Sequence, residues 1–494
     1  MREILLAIFK TGSGSFLTLL LGMITTKIFA ISLGPSGVGL FSLLRQTRDT
    51  FLSLTTFNGG TALVQGLASR KNAERQQYSL VVFAIILATT ILAIILLWSL
   101  APQIARQILH LEDPGAAWLI RWLSLPLFLG TGMMYLSGVL NGYRAIGRLA
   151  LVHVLSTSVT VVIAYPTAHL VKTGHPAAFV WMMAISSAVG VLAAFEFSRR
   201  EGWLPFSALL SRGFDKSGSL KLASSFLSFA FTTLITGLAS TWAALQVRSL
   251  IVAQIGLTDA GIFDVAWTLS MMYITLVLSS FGTYYLPTLS QCEDARTSVP
   301  LIHRVLRLTL ILVTPMITAV IVLKPLVIQL LYSQAFLPSL QVIRWMLLGD
   351  YLKSTSWVFG VTITASADKK TLLWSELLWQ AGFIGLSALS LIRFKTLEGI
   401  GVAFALLYLF HLAFTFFYAY RRYKSFPPKD MLVKWGVGLA LLIGSSIYTW
   451  TDYRVNCGAA MLWIGLALVF SWTVLRPEER KRVFQTVFRR YPGV

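Results

Sequence analysis

The chain has 494 residues, of which 56% are hydrophobic and only 12% are charged, and its mean hydropathy is +0.72. Soluble domains carry about 25% charged residues, so this composition excludes a soluble globular protein and indicates a membrane protein with many spans. The net charge of +21 is spread over short connections between apolar segments, which argues against a protein that binds nucleic acid.

Apolar segments recur along the whole chain, and most have the roughly 20 residues that a helix needs to cross a bilayer. Backbone groups in lipid must pair within their own segment, so we predict helices and not the alternating strands of a barrel. Polar Gly and Ser within the first 33 residues argue against a cleavable signal peptide. The predicted fold is all-α with 14 transmembrane helices, at 6–33, 38–68, 78–101, 117–141, 148–171, 177–198, 222–253, 259–289, 302–323, 340–365, 371–391, 399–420, 431–450 and 458–475.

The distribution of basic residues predicts the orientation of these helices. Most of the 41 Lys and Arg residues fall in alternate connections, on the side that also holds both termini. Cytoplasmic connections carry an excess of Lys and Arg, so we expect both termini to lie in the cytoplasm.

A glycine motif near the start of the chain recurs in its second half. Gly34-x4-Gly39-Leu40-Phe41 matches Gly256-x4-Gly261-Ile262-Phe263, at an offset of 222 residues, and each motif lies in a turn between two predicted helices. The offset covers six helices, an even number, so the two copies share topology, as in transporters built from parallel repeats. We therefore predict two six-helix bundles: an N-lobe at 1–200, a cytoplasmic linker at 201–221, a C-lobe at 222–423, and a final helix pair with a basic cytoplasmic tail at 424–494.

Several ionisable side chains fall inside the predicted helices. A charge at the middle of a span costs about 2.5–3.5 kcal/mol on insertion scales, so each one is expected to face a partner or a water-filled cavity. At 1.5 Å per residue, Lys27 and Arg45 lie about 10–12 Å from the turn that joins their helices. Lys27 maps by the repeat to position 249, next to Arg248. These cations predict a cavity for an anion, with Lys27, Arg45, Arg48, Arg248 and Lys353 as the candidate cationic residues.

Acidic residues in the same helices leave an alternative open. Arg45 and Asp49 are spaced i,i+4, and Asp350 and Lys353 are spaced i,i+3, so either pair could be an internal ion pair. Arg48, Lys27 and Arg248 have no suitable acid nearby in the sequence, which favours the cavity for them. We assign coupling or ion pairing to the four acids of this set, Asp49, Asp264, Asp350 and Glu376.

Several motifs along the chain are specific enough to compare with known families. The N-terminal motif is LGPSGVGLF followed by Arg45-Gln46 and Phe57-Asn58-Gly59, and YLPTLS follows at the end of the eighth predicted helix. Further motif residues are Lys27, Leu330-Leu331-Tyr332-Ser333, Phe336, Trp345, Gly349-Asp350, Lys353, Phe359-Gly360 and Glu376. Together they resemble the Wzx-type flippases of the MOP superfamily, in particular those of the lipid III type. The resemblance extends over 4–424 and stops before the last two predicted helices.

The resemblance implies two six-helix lobes around a central cationic cavity, to which Asn58 also contributes. It implies movement of an undecaprenyl-diphosphate-linked oligosaccharide from the cytoplasmic to the periplasmic leaflet of the bacterial inner membrane. A polysaccharide polymerase and a chain-length regulator become candidate partners. We expect no metal, no cofactor and no enzymatic activity.

Two other functions are weighed against the flippase. A MATE-like exporter of drugs or organic cations predicts that acids dominate the cavity, whereas the cations outnumber the acids here. A membrane-bound glycan polymerase or ligase needs a large outer loop with catalytic groups. The longest outer connections predicted here, 102–116 and 324–339, are short, and their only paired acid, Glu112-Asp113, precedes Pro114-Gly115 and is typical of a solvated turn.

Overall fold

The fold was determined as a computed structural model, which describes residues 2–70, 72–110, 115–204, 216–292, 295–424, 426–450, 455–477 and 480. The predicted acid pair Glu112-Asp113 lies outside these residues. The described chain forms fifteen α-helices: α1 (Arg2–Thr56), α2 (Gly60–Ser69), α3 (Asn72–Gln103), α4 (Ala116–Trp122), α5 (Ser124–Gly142), α6 (Ile146–Lys172), α7 (Ala177–Arg200), α8 (Lys216–Gln254), α9 (Leu257–Ser290), α10 (Ala295–Leu331), α11 (Leu340–Ala365), α12 (Lys369–Phe394), α13 (Glu398–Tyr423), α14 (Lys429–Tyr448) and α15 (Cys457–Val474).

The predicted all-α membrane fold is confirmed. Eleven segments of the described chain are long and apolar enough to cross a membrane, which is consistent with the fourteen predicted spans. A π-helical turn, Ile104–Ile108, follows α3, and a 3₁₀ turn, Gln334–Ser339, precedes α11.

The predicted turn at Gly34 divides α1 into two arms. Gly34 has a φ of 66° and a ψ of −168°, a conformation that glycine adopts without steric cost. Pro35 follows, where its fixed φ and missing N–H suit the first position of the second arm. The rings of Phe29 and Phe41 lie 5.1 Å apart. Twelve residues of one straight helix would span about 18 Å, so the chain reverses at Gly34 and the arms form a hairpin.

The chain divides into two compact units. The first holds residues 1–261 and 331–333, and the second holds 262–330 and 334–494. In the first unit α1 packs against α6 and α8, and α5 packs against α7. Its apolar core includes Leu67, Val82 and Phe226. The predicted lobe boundaries rest on the sequence repeat, a criterion different from compactness, and they remain a prediction.

The second unit is built on the close packing of α11 against α13, with a core that includes Tyr285, Val358 and Phe359. Side-chain hydrogen bonds define two helix starts in this part of the chain. Asp368 accepts from the backbone N–H of Thr371 at the start of α12, and Asn456 accepts from the N–H of Ala459 at the start of α15. Each bond satisfies a donor that the first helical turn leaves open.

The final helix pair, α14 and α15, is firmly attached to this second unit. Tyr351 of α11 donates to the carbonyl of Trp435 in α14 at 2.8 Å. The Lys324 ammonium of α10 donates to the carbonyl of Thr449 at 3.0 Å, and Ser471 of α15 donates to the carbonyl of Ile311 at 2.9 Å. These bonds join α10 and α11 to the two helices that the resemblance did not cover.

Candidate functional site

In the first unit α1 and α8 meet along a seam that hydrogen bonds of Ser42 and Gln46 define, and three of the predicted cations lie on α1. Arg48 forms a salt bridge with Asp49 at 2.6 Å, and their side chains remain 20% and 34% exposed. The expectation that Arg48 has no acid nearby in the sequence is therefore wrong. Adjacent residues on a helix do not face each other, but the long Arg48 side chain bends back to reach the carboxylate. The exposure of this pair leaves room for a further ligand on the guanidinium.

Lys27 and Arg45 lie on opposite arms of the α1 hairpin. The contact between Phe29 and Phe41 sets the register of the arms and brings Lys27 level with Arg45 to within about one helical turn. Both side chains are partly exposed. The Arg45 guanidinium lies 5.7 Å from the centroid of the Phe41 ring, a distance at which a cation and an aromatic ring attract each other.

Arg248 of α8 is in a different environment, because it is only 1% exposed. Its Nε donates to the hydroxyl of Ser42 on α1 at 2.9 Å, and one Nη donates to the carbonyl of Ala244 at 3.0 Å. Gln46 makes a second bond across the seam, donating to the carbonyl of Thr241 at 2.9 Å. In this conformation Arg248 therefore acts as a link between α1 and α8.

Asn58 follows the end of α1 and is exposed. Phe57 and Asn58 both have positive φ angles, 55° and 49°, and Asn is among the residues that tolerate this region best. The Asn58 side chain lies directly against Gly237 of α8, at a point where any larger residue would collide with its amide. Asn58 thus marks the end of the same seam.

The two glycine motifs of the predicted repeat meet at the other end of the seam. Gly34 and Gly256 both have positive φ, 66° and 112°. A Cβ atom on Gly261 would lie 2.9 Å from the nitrogen of Gly39, and one on Gly39 would lie 3.0 Å from the nitrogen of Gly261. The contact is reciprocal: Gly261 lies against the carbonyl of Pro35, and Gly39 lies against the carbonyl of Leu257. Leu257 is the residue equivalent to Pro35 at the 222-residue offset. The two glycine turns therefore touch through their main chains at equivalent positions of the two motifs.

An enclosed acid lies in the second unit. Asp350 of α11 is 0% exposed, and its carboxylate accepts hydrogen bonds from Ser270, at 2.8 and 2.9 Å, and from the Tyr273 hydroxyl. In the described chain Lys353 forms no direct salt bridge with Asp350, so the predicted i,i+3 ion pair is not formed. Hydroxyl donors from α9 offset part of the cost of burying this carboxylate, and the positive charge of Lys353, one turn along α11, adds electrostatic attraction without direct contact.

Lys353 lies among soft and aromatic groups. Its ammonium is 3.1 Å from the sulfur of Met271 and lies 5.6 Å from the centroid of the Tyr408 ring and 6.0 Å from that of Phe404. The two other predicted site acids in the second unit are Asp264, which is 6% exposed, and Glu376, which is partly exposed.

Sequence reasoning missed the partners of these charges. Ser270 and Tyr273 share one face of α9 through their i,i+3 spacing, but nothing in the sequence pairs that face with Asp350, about 80 positions away. In the same way, no feature of the sequence indicates that Ser42 contacts Arg248. The glycine repeat was the signal available for the α1–α8 seam, and it located the turn but not the cross-seam hydrogen bonds.

Comparison with known proteins gives matches of three kinds. A family described as "Polysaccharide biosynthesis protein" matches residues 6–293. The lipid III flippase of Escherichia coli (strain K12) is 25% identical over 358 residues, which cover 72% of this chain and 83% of that protein. Among solved structures, the lipid II flippase MurJ in its inward closed conformation matches with a TM-score of 0.70 and 15% identity, over 97% of this chain and 99% of that one.

A multidrug-resistance MATE transporter of the MOP superfamily, in an inward-facing conformation, also matches, with a TM-score of 0.66 and 12% identity over 83% of this chain and 94% of that chain. These relatives confirm the resemblance to Wzx-type proteins and the MOP-type arrangement of two six-helix bundles and a C-terminal helix pair. The chain therefore belongs to the polysaccharide biosynthesis protein family and has the fold of the MOP superfamily transporters.

Proposed function

We propose that this protein is a flippase that moves an undecaprenyl-diphosphate-linked oligosaccharide from the cytoplasmic to the periplasmic leaflet of a bacterial inner membrane. The observation that carries the proposal is the group of basic residues on the α1 hairpin, Lys27, Arg45 and Arg48, within a family of polysaccharide biosynthesis. The described chain holds no cluster of His, Cys, Asp or Glu that could bind a metal, and the proposed step breaks no covalent bond.

The basic residues of the hairpin offset the charge of the diphosphate. Arg48 and Arg45 offer the planar, forked donors that suit phosphate oxygens, and Lys27 adds a point charge on the facing arm. Arg248 acts as a positioning residue, because its bond to Ser42 fixes the arm that carries Arg45 and Arg48. Lys353 and Asn58 are secondary candidates for contact with the headgroup.

The membrane potential supplies the drive in this proposal. A potential of 100 mV, negative inside, favours outward movement of a dianion by about 4.6 kcal/mol, twice the ~2.3 kcal/mol for each charge. The sequence contains no GxxxxGK[ST] phosphate-binding loop that would indicate ATP hydrolysis. Coupling to protons through Asp49, Asp264, Asp350 or Glu376 remains an addition to this scheme, and a polymerase and a chain-length regulator remain the proposed protein partners.

Lipid analysis of cells depleted of the protein tests the cargo. We expect undecaprenyl-diphosphate oligosaccharide to accumulate on the cytoplasmic leaflet, and the mass of its glycan identifies the repeat unit. If no such lipid accumulates while cells become sensitive to organic cations, the MATE-like exporter replaces this proposal.

Two variants at the Arg48–Asp49 pair, with a control elsewhere, test the role of Arg48. Arg48→Ala and the double variant Arg48→Ala/Asp49→Ala are both expected to lower export of the glycan by about tenfold or more, because a charge-assisted contact to phosphate is lost in each. Arg393→Ala, at an exposed position at the end of α12, is the matched control and leaves export unchanged. Recovery of export in the double variant would show that Arg48 only neutralises Asp49.

A further inference from the structure

A pocket with charges of both signs lies in the second unit, where the end of α11, the start of α12 and the end of α13 meet. Its volume is about 600 Å³, which is within the range of small-molecule sites. The residues that line it differ from those proposed to contact the oligosaccharide headgroup. Its polar lining consists of Ser366, Asp368, Thr371, Tyr418, Arg421 and Arg422.

The negative charge of the pocket lies on Asp368, whose side chain is held in a fixed position. Its carboxylate accepts hydrogen bonds from the backbone N–H and the hydroxyl of Thr371, at 3.0 and 2.7 Å, and from the hydroxyl of Tyr418, at 3.2 Å. The hydroxyl of Ser366 lies 2.8 Å from the same Tyr418 oxygen. A carboxylate has about four acceptor positions, and Asp368 is partly exposed, so a further donor from a ligand can bind to it.

The positive charge of the pocket comes from the end of α13. The Arg421 guanidinium lies 4.4 Å from the centroid of the Phe417 ring, so the cation and the ring attract each other. A guanidinium that lies over a ring uses its flat face, and its edges carry the N–H donors that suit phosphate oxygens.

The two signs of charge lie close enough to act on each other. The hydrogen bonds of Thr371 and Tyr418, together with the positive charge of Arg422, lower the pKa of Asp368. The carboxyl is therefore ionised at neutral pH, and a cation lies near it. A ligand in this pocket meets both a carboxylate and guanidinium groups.

A row of exposed aromatic rings adjoins these charges. Phe414 and Phe417 line the pocket and are 41% and 50% exposed, and Phe410, one turn earlier on α13, is 67% exposed. Spacings of three and four residues place the three rings on one face of the helix. Because α13 is apolar enough to cross the membrane, this phenylalanine row is suited to contact with acyl chains.

The charges of the pocket select among phospholipid headgroups. A headgroup with a phosphate and a primary ammonium matches both signs, because the phosphate accepts from guanidinium groups and the ammonium donates to a carboxylate. Phosphatidylglycerol brings a net negative charge near Asp368 with no cation to offset the repulsion. Phosphatidylcholine has a cation without N–H donors, and a soluble zwitterion leaves the phenylalanine row uncovered.

We propose that this pocket binds the headgroup of phosphatidylethanolamine, with the phosphate at Arg421 and Arg422, the ammonium at Asp368 and the acyl chains along the phenylalanine row. The bound lipid joins the start of α12 to the end of α13. Its occupation is a property of the membrane around the protein and does not depend on the proposed transport activity.

The test measures lipid binding to the full chain by native mass spectrometry, with phosphatidylethanolamine and phosphatidylglycerol as probes. Asp368→Asn removes the negative charge but keeps the helix cap, because Asn caps helices as well as Asp does. We expect phosphatidylethanolamine to bind about fivefold more weakly, since a charge-assisted bond becomes a neutral one, and phosphatidylglycerol to bind as well as before or better. The matched control is Asp430→Asn, at an exposed position at the start of α14, which leaves both affinities unchanged. Unchanged binding of phosphatidylethanolamine to Asp368→Asn, or an equal loss for both lipids, would overturn the proposal.

Further arms test the phosphate contact and the source of the headgroup. Arg421→Gln is expected to weaken phosphatidylethanolamine binding by about fivefold, the contribution of one cation near the membrane surface, whereas Arg393→Gln, at the other end of α12, leaves it unchanged. Millimolar phosphoethanolamine is expected not to displace the lipid, and phosphatidylcholine is expected to bind more weakly. Displacement by phosphoethanolamine would assign the pocket to a soluble compound, and equal binding of phosphatidylcholine would exclude recognition of the ammonium. The thermal unfolding midpoint shows that each variant is folded, independently of any transport assay.

Discussion

The charges of the first unit and those of the second are handled in opposite ways. On α1, the Arg48–Asp49 pair stays partly exposed, and Lys27 and Arg45 are partly exposed as well. In the second unit, Asp350 is fully enclosed and accepts hydrogen bonds from the hydroxyl of Ser270, which lies near both carboxylate oxygens, and from the hydroxyl of Tyr273. A charge that stays accessible can exchange its partner for a ligand, whereas an enclosed and saturated charge contributes to the structure around it.

The sequence treats all of these residues alike, as ions within apolar helices, and the difference in exposure divides them into two groups. All of them are ions inside apolar helices, and each was expected to face a partner or a cavity. Arg248 resembles Asp350 more than Arg48, because it is buried and bonded across two helices. The difference suggests that binding belongs to the α1 hairpin and that positioning belongs to Arg248 and Asp350.

The largest expected effect comes from adding a methyl group where the two glycine motifs meet. Gly261→Ala would push a Cβ into the backbone of Pro35 and Gly39, and backbone cannot move aside as a side chain can. We expect a loss of about 3 kcal/mol in the free energy of unfolding, at the upper end of overpacking costs, together with loss of transport. Thermal unfolding in detergent measures the first effect.

The control for this change is Gly385→Ala in α12, where a new Cβ has no atom within 4 Å. It should be neutral or slightly stabilising, because Ala favours a helix over Gly. Equal stability of the two variants would show that the glycine contact is not tight.

The next effect distinguishes the enclosed acid from the exposed pair. Asp350→Ala leaves the hydroxyls of Ser270 and Tyr273 without their acceptor, and we expect a cost of about 2 kcal/mol in the free energy of unfolding. Asp350→Asn keeps an acceptor oxygen and should cost less than half of that. Arg48→Ala, by contrast, should change stability by less than about 1 kcal/mol while it lowers transport. A variant of Asp350 that is stable but inactive would move this acid from structure to coupling.

A smaller effect is expected at the link between α1 and α8. Ser42→Ala removes the acceptor of Arg248 Nε, and the loss of one buried bond to a charged group corresponds to about 1.5 kcal/mol. We expect transport to fall in part, because α1 loses a fixed position, and Ser42→Thr to restore it. The unfolding midpoint and the export rate, measured together, check this expectation. Full export in Ser42→Ala would show that Arg248 does not position the arm.

The smallest effect lies outside the membrane-spanning segments, at the start of α12. Hydrogen bonds from the backbone and the hydroxyl of Thr371 lower the pKa of Asp368 below its ordinary value. The stabilisation from this cap is therefore complete above the ordinary pKa and is lost as pH falls through the lowered value. Asp368→Ala should lower the unfolding midpoint at neutral pH but not in strong acid. A pH-independent difference between variant and parent would contradict the role of the ionised cap.

The sequence predicted the architecture better than the contacts. Hydropathy and the glycine repeat gave the all-α fold, the turn at Gly34 and the level of Lys27 with Arg45, because these follow from local spacing. The partners of Asp350 and Arg248 come from helices about 80 and about 200 residues away, and no local pattern reports such pairing. The expectation for Arg48 is wrong for another reason: the i,i+4 spacing assigns Asp49 to Arg45, and this rule overlooks that the long side chain of the adjacent Arg48 can bend back to the same carboxylate.

The reciprocal glycine contact also constrains how the two glycine turns can change in sequence. At this point the main chain of one turn lies against the main chain of the other, so no side chain is available to shrink when its neighbour grows. A bulkier residue at Gly39 or Gly261 therefore cannot be compensated by a substitution in the opposite turn. A mutational scan for second-site suppressors of Gly39 or Gly261 substitutions should accordingly find none within the opposite turn.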